Sequence, residues 1–396
     1  RSIDVVVLSH AHIDHSGLLP KLVKEGYSGP IYCTPATATL SEIMLEDSAE
    51  IQEDDAKYAN KRLLAQNRPL VQPLYELKDA KATQQLFRTV EYGNWITITD
   101  GVELLFTDAG HIIGSAAVHL RVQEQGKQTA ITFSGDIGRY RDIILRSPDV
   151  FPQADYIIME STYGNSLHDP GDSTPELLKK WIEYSCIEKK GKLILPAFSV
   201  GRTQEILFAL NQLELENSLP TVPIYVDSPL SIEATEVIKG YPGYFNKKIQ
   251  KILQTDTDPF HFKGLQYIRT VDQSKALNYM NGPMVIISPS KNTIVFTGYC
   301  EPNSLGGRLL AGAQEVSIFG TDHQVNAEIG SIRSMSAHGD YEDMSQWLAC
   351  QDPRAVKQLF LVHGEPEVQE EFKRKLVRKG FLDVLIPEQH FEIGLG

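Results

Sequence analysis

Cysteine is scarce in this sequence. Cys33, Cys186, Cys300 and Cys350 are scattered with no C-x-x-C pair among them, so neither a disulfide framework nor a thiolate zinc site is expected. No apolar run approaches the roughly 18 to 20 residues that cross a bilayer, and no basic-then-apolar leader opens the chain. A cytoplasmic protein without membrane segments is the expectation. Positive charge is short as well: 38 Lys and Arg stand against 51 Asp and Glu, a net charge of -13. Broad, non-specific binding to nucleic acid is disfavoured, because polyanion affinity comes largely from Lys and Arg releasing counterions. A local basic or metal-lined cleft stays compatible with that balance. Internal repeats and low-complexity linkers are also missing.

What is present is an ordinary globular composition, 42% hydrophobic and 22% charged over 396 residues, with room for two domains. Part of the negative charge lies in LEDSAEIQEDD (45–55), inside a helical pattern over 36–66, and reads as a solvated helix face. Up to about residue 164, short β-rich runs dominate: IDVVVL, PIYCT, WITI, VELLFTDA, AAVHLRV, TAITFS and DYIIME. The texture then changes. KLILPAF leads into the amphipathic SVGRTQEILFALNQLE, PIYVDS into PLSIEATEVIKGY, and MVIIS and NTIVFTGY follow, the pattern of an α/β unit with a parallel sheet. After Met335 come a helix, DYEDMSQWLACQ, the strand KQLFLV and a second helix, EPEVQEEFKRKLVRKG.

Strand ends carry the chemistry. VVVLSHAHIDH ends in His10, His12, Asp14 and His15, VELLFTDAGH in His111, AITFSGD in Asp136, YIIMES in Glu160 and QLFLVHG in His363. Side by side and running in one direction, such strands would bring these groups to one rim. Singly, each has a plainer explanation. A lone histidine after a strand is more often a satisfied loop residue, and His119, His261, His323 and His390 are placed in that class, with His168 at the surface. Asp136 in SGDIG reads as a turn former, and Glu160 as a cap.

The cluster at 10–15 is too dense for packing alone, since three imidazoles and a carboxylate beside a buried strand are costly unless paired or metal-bound. His10 and His12 alternate along an extended backbone, while Asp14 and His15 follow after the chain has turned, so one loop can serve two neighbouring ions. Histidine and aspartate without thiolate suit zinc better than manganese or iron. Two zinc ions that each keep an open position need roughly six or seven ligands. The candidates are His10, His12, Asp14, His15, His111, Asp136 and His363.

The block His10-Ala-His-Ile-Asp-His15 resembles the signature of the metallo-β-lactamase fold, which by itself gives a fold and a metal site but no substrate. Three further motifs narrow the choice. MESTYG (159–164) resembles motif A of the β-CASP subfamily, SAHGD (336–340) its motif B and LVHGE (361–365) its motif C. PAFSVGRTQE, DSPLS, FTGYCEPNSLGGRLL and DSAEIQEDDA are also similar to segments of that subfamily, so the resemblance covers nearly the whole chain.

The resemblance implies an α/β protein: an αββα metallo-β-lactamase sandwich over 1–164 and 335–396, with an inserted α/β β-CASP domain over 165–334. It further implies a nucleic-acid phosphodiesterase similar to the nuclease subunit of the mRNA 3'-end cleavage factor and its prokaryotic relatives. A histidine in motif C, His363, is typical of RNA-acting members. Carried over by position, His10, His12 and His111 would hold one Zn2+ ion, Asp14, His15 and His363 the other, and Asp136 would bridge them. A hydroxide shared by the ions would attack phosphorus. His338 would protonate the leaving 3' oxygen and Glu160 would orient His338, leaving a 5'-phosphate product. Asp14, Glu160 and His338 are thus the candidate catalytic residues. Ser199, Arg202, Ser228 and Arg308 are candidate contacts to phosphate or ribose, with helix capping and surface solvation as the plainer account.

Two departures from the family pattern stand out. Several strands and a D-x-G-like turn normally precede the H-x-H-x-D-H block, which here begins at residue 10, and a glycine- and arginine-containing segment normally separates MVIIS from NTIVFTGY, where this chain has only SPSK. The expectation is a fragment, or a sequence from which disordered stretches are missing. The expected partner is RNA, with internal cleavage favoured over a 5' exonuclease mode. A homodimer or membership of an RNA-processing complex is left open. The competing classes are another metallo-β-lactamase-fold hydrolase acting on DNA or on a small ester or thioester, and a silent RNA-binding scaffold, against which the complete ligand set argues.

Overall fold

In a computed structural model of the protein, residues 3–168, 174–287, 293–298, 300, 303–318 and 320–395 are described. The junction at Ser290 and Lys291 lies outside them. The chain divides into two compact units, one of residues 1–140, 145–167 and 338–396, the other of 141–144 and 168–337.

The first unit opens with β1 (Val6–Val7), β2 (Ile31–Cys33) and β3 (Phe87–Thr89), which form a parallel three-stranded sheet in the order β1-β2-β3. It continues with β4 (Ile96–Thr99), β5 (Val102–Asp108), β6 (Ala116–Glu124), β7 (Lys127–Phe133) and β8 (Tyr156–Glu160). The second unit contributes β9 (Lys192–Leu195), β10 (Ile224–Val226), β11 (Leu265–Tyr267), β12 (Met284–Ile287), β13 (Thr293–Phe296), β14 (Glu315–Ile318), β15 (Thr321–Gln324) and β16 (Ile329–Ser331). The chain returns to the first unit with β17 (Gln358–Val362) and β18 (Val384–Leu385). These complete a seven-stranded sheet in the order β18-β17-β8-β7-β6-β5-β4.

Side-chain alternation makes the first unit a sandwich. Leu104 and Phe106 of β5 and Ala116 and Val118 of β6 pack with Val7 and Tyr32 of the small sheet, filling the space between the sheets. The intervening residues face the other way. Ala117, Ile157, Met159, Leu359 and Leu361 meet Met344 and Trp347 of the helix Tyr341–Trp347 and Phe372 and Leu376 of the helix Pro366–Arg378. Across the small sheet, Ile31 and Cys33 pack with Leu19 and Ala38, the latter on the long helix Pro35–Ala65, which starts on a Thr34 cap with proline in its first turn. Helix, sheet, sheet and helix therefore follow in layers, in agreement with the expected fold class. The acidic segment 45–55 lies on that long helix, and Leu45 and Ala49 are buried while Glu50, Asp54 and Asp55 are exposed.

The expectation of one rim built by strands lying side by side needs a correction. Strand β1 belongs to the small sheet, not to the large one. Within the large sheet β6 runs antiparallel to both β5 and β7, so β5, β7, β8 and β17 share one direction with a reversed strand among them. The rim spans the edges of two sheets because both layers of the sandwich end there.

In the second unit, strands run parallel in the order β11-β10-β12-β9-β13-β16, and β14 and β15 form a separate antiparallel hairpin. Leu193, Ile194, Val285 and Ile286 are buried, as expected of strands covered on both faces. Among the described residues no helix is long and apolar enough to cross a membrane.

Phe372 is fully buried, and a Cβ at Gly164 would meet its side chain at 2.6 Å, so the helix Pro366–Arg378 sits tightly on the turn after β8. Phe372→Ala is expected to cost about 3–5 kcal/mol in the first unit, read as a lower denaturant midpoint of its transition. An unchanged midpoint would show that this helix does not secure the sandwich.

Candidate metal centre

Strand ends become a site because their loops are joined backbone to backbone. Ala116 N donates to Ser9 O at 2.8 Å, Gly138 N to Ala109 O at 2.7 Å, Gly339 N to Ile137 O at 2.6 Å and Ser161 N to His363 O at 3.1 Å. These bonds tie the loops that bear His10, His111, Asp136, His338 and His363. The fit is closest between Gly110 and Gly138: a Cβ on Gly138 would lie 1.8 Å from the Gly110 carbonyl oxygen. Gly110 itself has φ +69°, a left-handed conformation favoured by glycine. Its N–H is held by Asp108 Oδ1 at 2.9 Å, and Arg146 pairs with Asp108 Oδ2 at 2.9 Å.

The chain is extended through His12 and then enters the short helix Ile13–Ser16. That bend sends His10 and His12 to one group of donors and Asp14 and His15 to another. His12 Nδ1 lies 3.2 Å from His10 Nε2 and 3.1 Å from His111 Nε2. Asp136 Oδ2 lies 3.4 Å from His10 Nε2 and 3.5 Å from His111 Nε2. Its other oxygen, Oδ1, lies 3.3 Å from His15 Nε2 and 3.6 Å from His363 Nδ1. Asp14 Oδ2 stands 3.8 Å from His15 Nε2 and 3.5 Å from His363 Nε2. His10, His12, His111 and Asp136 form one group able to hold a cation, and Asp14, His15 and His363 another. The seven sequence candidates are thus brought together.

The donor set fits zinc. Four ligands at about 2.0–2.1 Å in a tetrahedron stand about 3.3 Å apart, close to the separations around His12 and Asp136 Oδ2. Burial holds His10 and His111 below the usual histidine range and His12 down at about 3, which keeps the imidazoles neutral and their lone pairs free. Burial works against the charge of Asp136, but the surrounding imidazoles outweigh it and hold the carboxyl well below its ordinary range. Neither Asp136 oxygen has a well-formed hydrogen bond among the described residues. The two groups differ in exposure. His10 and Asp136 are 0% and 2% exposed, whereas the Asp14 and His363 side chains are 58% and 36% exposed. The hydrogen bond that His363 donates to the Asp14 carboxylate pushes His363 up to about 9, so a cation there would displace a proton.

Beside both groups stands His338. Its Nδ1 lies 3.1 Å from Oε2 of the buried Glu160 and its Nε2 4.0 Å from Asp136 Oδ2. Burial disfavours its charge, yet the Glu160 carboxylate outweighs that and raises its pKa. Glu160 is fixed in turn by the Ile137 N–H and, through its own N–H, by Ser134 Oγ at 3.0 Å.

The remaining candidates lie in the second unit. Ser199 and Ser228 hydroxyls are 3.2 Å apart, and Ser228 also caps the helix Pro229–Lys239. Arg202 is buried against Glu205 at 2.6 Å, and Arg308 is half-buried on the helix Leu305–Leu310. His119 is a satisfied interior histidine, bonded to Thr107 and Thr132 at 2.8 and 2.9 Å and lowered to about 3 by burial. Sequence reasoning did not single out Ser9, whose hydroxyl lies 3.2 Å from His10 Nδ1, Thr162 beside His363, or the Gly110 and Gly138 contact. Adjacency to His10 was the available signal for Ser9, and a place near Glu160 in ESTYG for Thr162; nothing local signals the glycine pair.

Three family models match successive parts of the chain. Residues 1–185 match the metallo-beta-lactamase superfamily, 203–291 the Beta-Casp domain, and 322–387 the Zn-dependent metallo-hydrolase RNA specificity domain. Ribonuclease TTHA0252 of Thermus thermophilus is 33% identical over 389 residues, spanning 93% of this chain and 82% of that protein. The chain belongs to the β-CASP family of metal-dependent ribonucleases. Transcription termination factor FttA of Thermococcus kodakarensis is 32% identical and that of Pyrococcus horikoshii 29%, each over 92% of this chain. The chain spans 57% and 58% of the length of those two factors. The segment matched to the Zn-dependent metallo-hydrolase RNA specificity domain contains both His338 and His363.

Two outcomes are expected of this geometry. Gly138→Ala must part the loops of His111 and Asp136, and is expected to lower zinc content and cut activity at least about 100-fold, as misplacement of reacting groups by about 1 Å does. Native zinc content and activity in that variant would refute the tight fit. Graded chelation should remove zinc in two steps, the exposed position first, read by metal analysis; a single step would show that exposure does not separate them.

Proposed function

We propose that the chain hydrolyses RNA phosphodiester bonds with two zinc ions and leaves 5'-phosphate products. Four imidazole and carboxylate groups, His10, His12, His111 and Asp136, would hold one ion, and Asp14, His15 and His363 the other, with Asp136 shared between them. The ions, when bound, supply Lewis acidity that brings a water near neutral pKa and neutralises phosphate oxygens. One observation carries the reading beyond a generic hydrolase: His338 has one nitrogen on the buried Glu160 and turns the other toward Asp136.

That arrangement suits a general acid. Glu160 accepts from Nδ1, which leaves the Nε2 proton facing the reacting phosphate, and the carboxylate favours the charged imidazole that must give that proton up. As a water oxygen bonds to phosphorus, Nε2 gives its proton to the departing 3' oxygen and the P–O3' bond breaks, so the phosphate stays on the 5' side and the 3' end is left as a hydroxyl. Asp136 and Asp14 keep the surrounding imidazoles oriented. Esters and lactams also release a group that needs a proton, so the pair is read as serving a ribose oxygen because His338 lies within the segment, 322–387, that matches the Zn-dependent metallo-hydrolase RNA specificity domain. The second unit, which contains the segment matched to the Beta-Casp domain, is proposed as the RNA-recognising domain, and cleavage is proposed to be internal.

The test is cleavage of one RNA with alternative end labels, free or blocked at its 5' end, by wild type, His338→Ala and chelated protein. Internal products from the blocked RNA are expected. His338→Ala should lower kcat by about 100- to 10,000-fold with zinc content unchanged. Activity that survives both His338→Ala and zinc removal would sink the mechanism, and products only from an unblocked end would refute internal cutting.

A further inference from the structure

We infer that Thr162 is a positioning residue that fixes both the tautomer and the backbone of His363, and thereby selects the nitrogen that this histidine offers to a cation. The inference rests on the metal reading above. His363 has φ 51°, in the left-handed region that a residue with a Cβ enters at a cost. Its carbonyl accepts two hydrogen bonds, from Ser161 N–H and from the Thr162 hydroxyl, each at 3.1 Å. Ser161 Oγ donates to Val362 O at 2.7 Å, and a Cβ at Gly364 would lie 2.6 Å from that Oγ. The turn after β8 and the turn after β17 therefore hold each other, and the strained His363 is braced from the Ser161 and Thr162 side.

The Thr162 hydroxyl also lies 3.1 Å from His363 Nδ1. A hydroxyl has one hydrogen to give. Donated to the His363 carbonyl, it leaves only lone pairs facing the ring, so Nδ1 must carry a hydrogen and donate it. Nε2 then keeps its lone pair in the form that ligates. Nε2 is the atom 3.5 Å from Asp14 Oδ2, whereas Nδ1 faces Asp136 Oδ1 at 3.6 Å. Thr162 thus commits His363 through Nε2 to the more exposed group and closes the alternative through Nδ1. Histidine ligands generally need such a partner on the second nitrogen, and its loss weakens metal binding. The same short segment carries Glu160 against His338, so residues 160–162 orient both of the late histidines.

The test is zinc retention by the full chain against a graded chromophoric chelator, a readout that needs no substrate. In Thr162→Val, which replaces the hydroxyl by a methyl, the more easily removed zinc is expected to bind about 10- to 100-fold more weakly while the other is unmoved. Thr162→Ser should restore wild-type retention. In cobalt-substituted protein, the visible bands of the weaker position should change in Thr162→Val and not in Thr162→Ser. Should Thr162→Val fail to fold, Thr162→Ala gives the same comparison. Superimposable chelation curves for wild type and the hydroxyl-free variant, or a Thr162→Ser variant that loses zinc as readily as Thr162→Val, would overturn the inference. Wild type that binds no zinc would instead overturn the metal reading from which it starts.

Discussion

A carboxylate buried among imidazoles is the constraint on which this protein depends. Asp136 is 2% exposed, and neither of its oxygens has a well-formed hydrogen bond among the described residues. Such a charge is costly in a protein interior unless positive charge meets it. The imidazoles of His10 and His111 face one oxygen and those of His15 and His363 the other. Cations on both sides would satisfy it, and imidazoles from three separate loops converge on this one carboxylate.

Holding that group in place shapes much of the first unit. Asp136 follows the strand Lys127–Phe133, and in the same sheet the loop between β5 and β6, the end of β8 and the turn after β17 bring His111, Glu160 and His363 to the same edge, while the small sheet delivers His10 and His12 from across the sandwich core. Fixing the edges of two sheets relative to each other takes direct backbone bonds, such as Ala116 N to Ser9 O and Gly138 N to Ala109 O. Glycine is required at 138 because a Cβ would fall inside the facing backbone of Gly110, and it is favoured at 110 because φ there is +69°. Polar second partners, Ser9 on His10, Thr162 on His363 and Glu160 on His338, then set the orientation of individual rings.

Exposure gives the centre its asymmetry. The group of His10, His12, His111 and Asp136 is largely buried, which favours neutral imidazole, while the Asp14 and His363 side chains open to solvent. His338 stands beside both, with a carboxylate that supports its charge. Burial and exposure are thereby divided between neighbouring groups that face one aspartate.

Much of this was legible from residues that are adjacent in sequence. The H-x-H-x-D-H block, the apolar strands that end in acids and histidines, and the motifs around Glu160, His338 and His363 each carry their chemistry in a few consecutive positions, where backbone periodicity alone decides which side chains share a side. The long helix over Pro35–Ala65 and the parallel strands of the second unit were readable for the same reason, a period of 3.6 or a continuous apolar run. Other features had no local signature. SGDIG reads as a turn, and only the convergence of distant loops makes Asp136 the shared group. His119 and His363 look alike after apolar residues, yet one is enclosed between two threonines and the other faces a carboxylate. The assignment of the first strand to a different sheet, the glycine contact between residues 110 and 138, and the Thr162 hydroxyl beside His363 depend on pairs far apart in the chain. By itself the sequence determined which chemical groups were available and the strands that would present them; tertiary structure decided their distances, their burial and their partners, because those depend on the packing of two sheets and not on the order of residues within either.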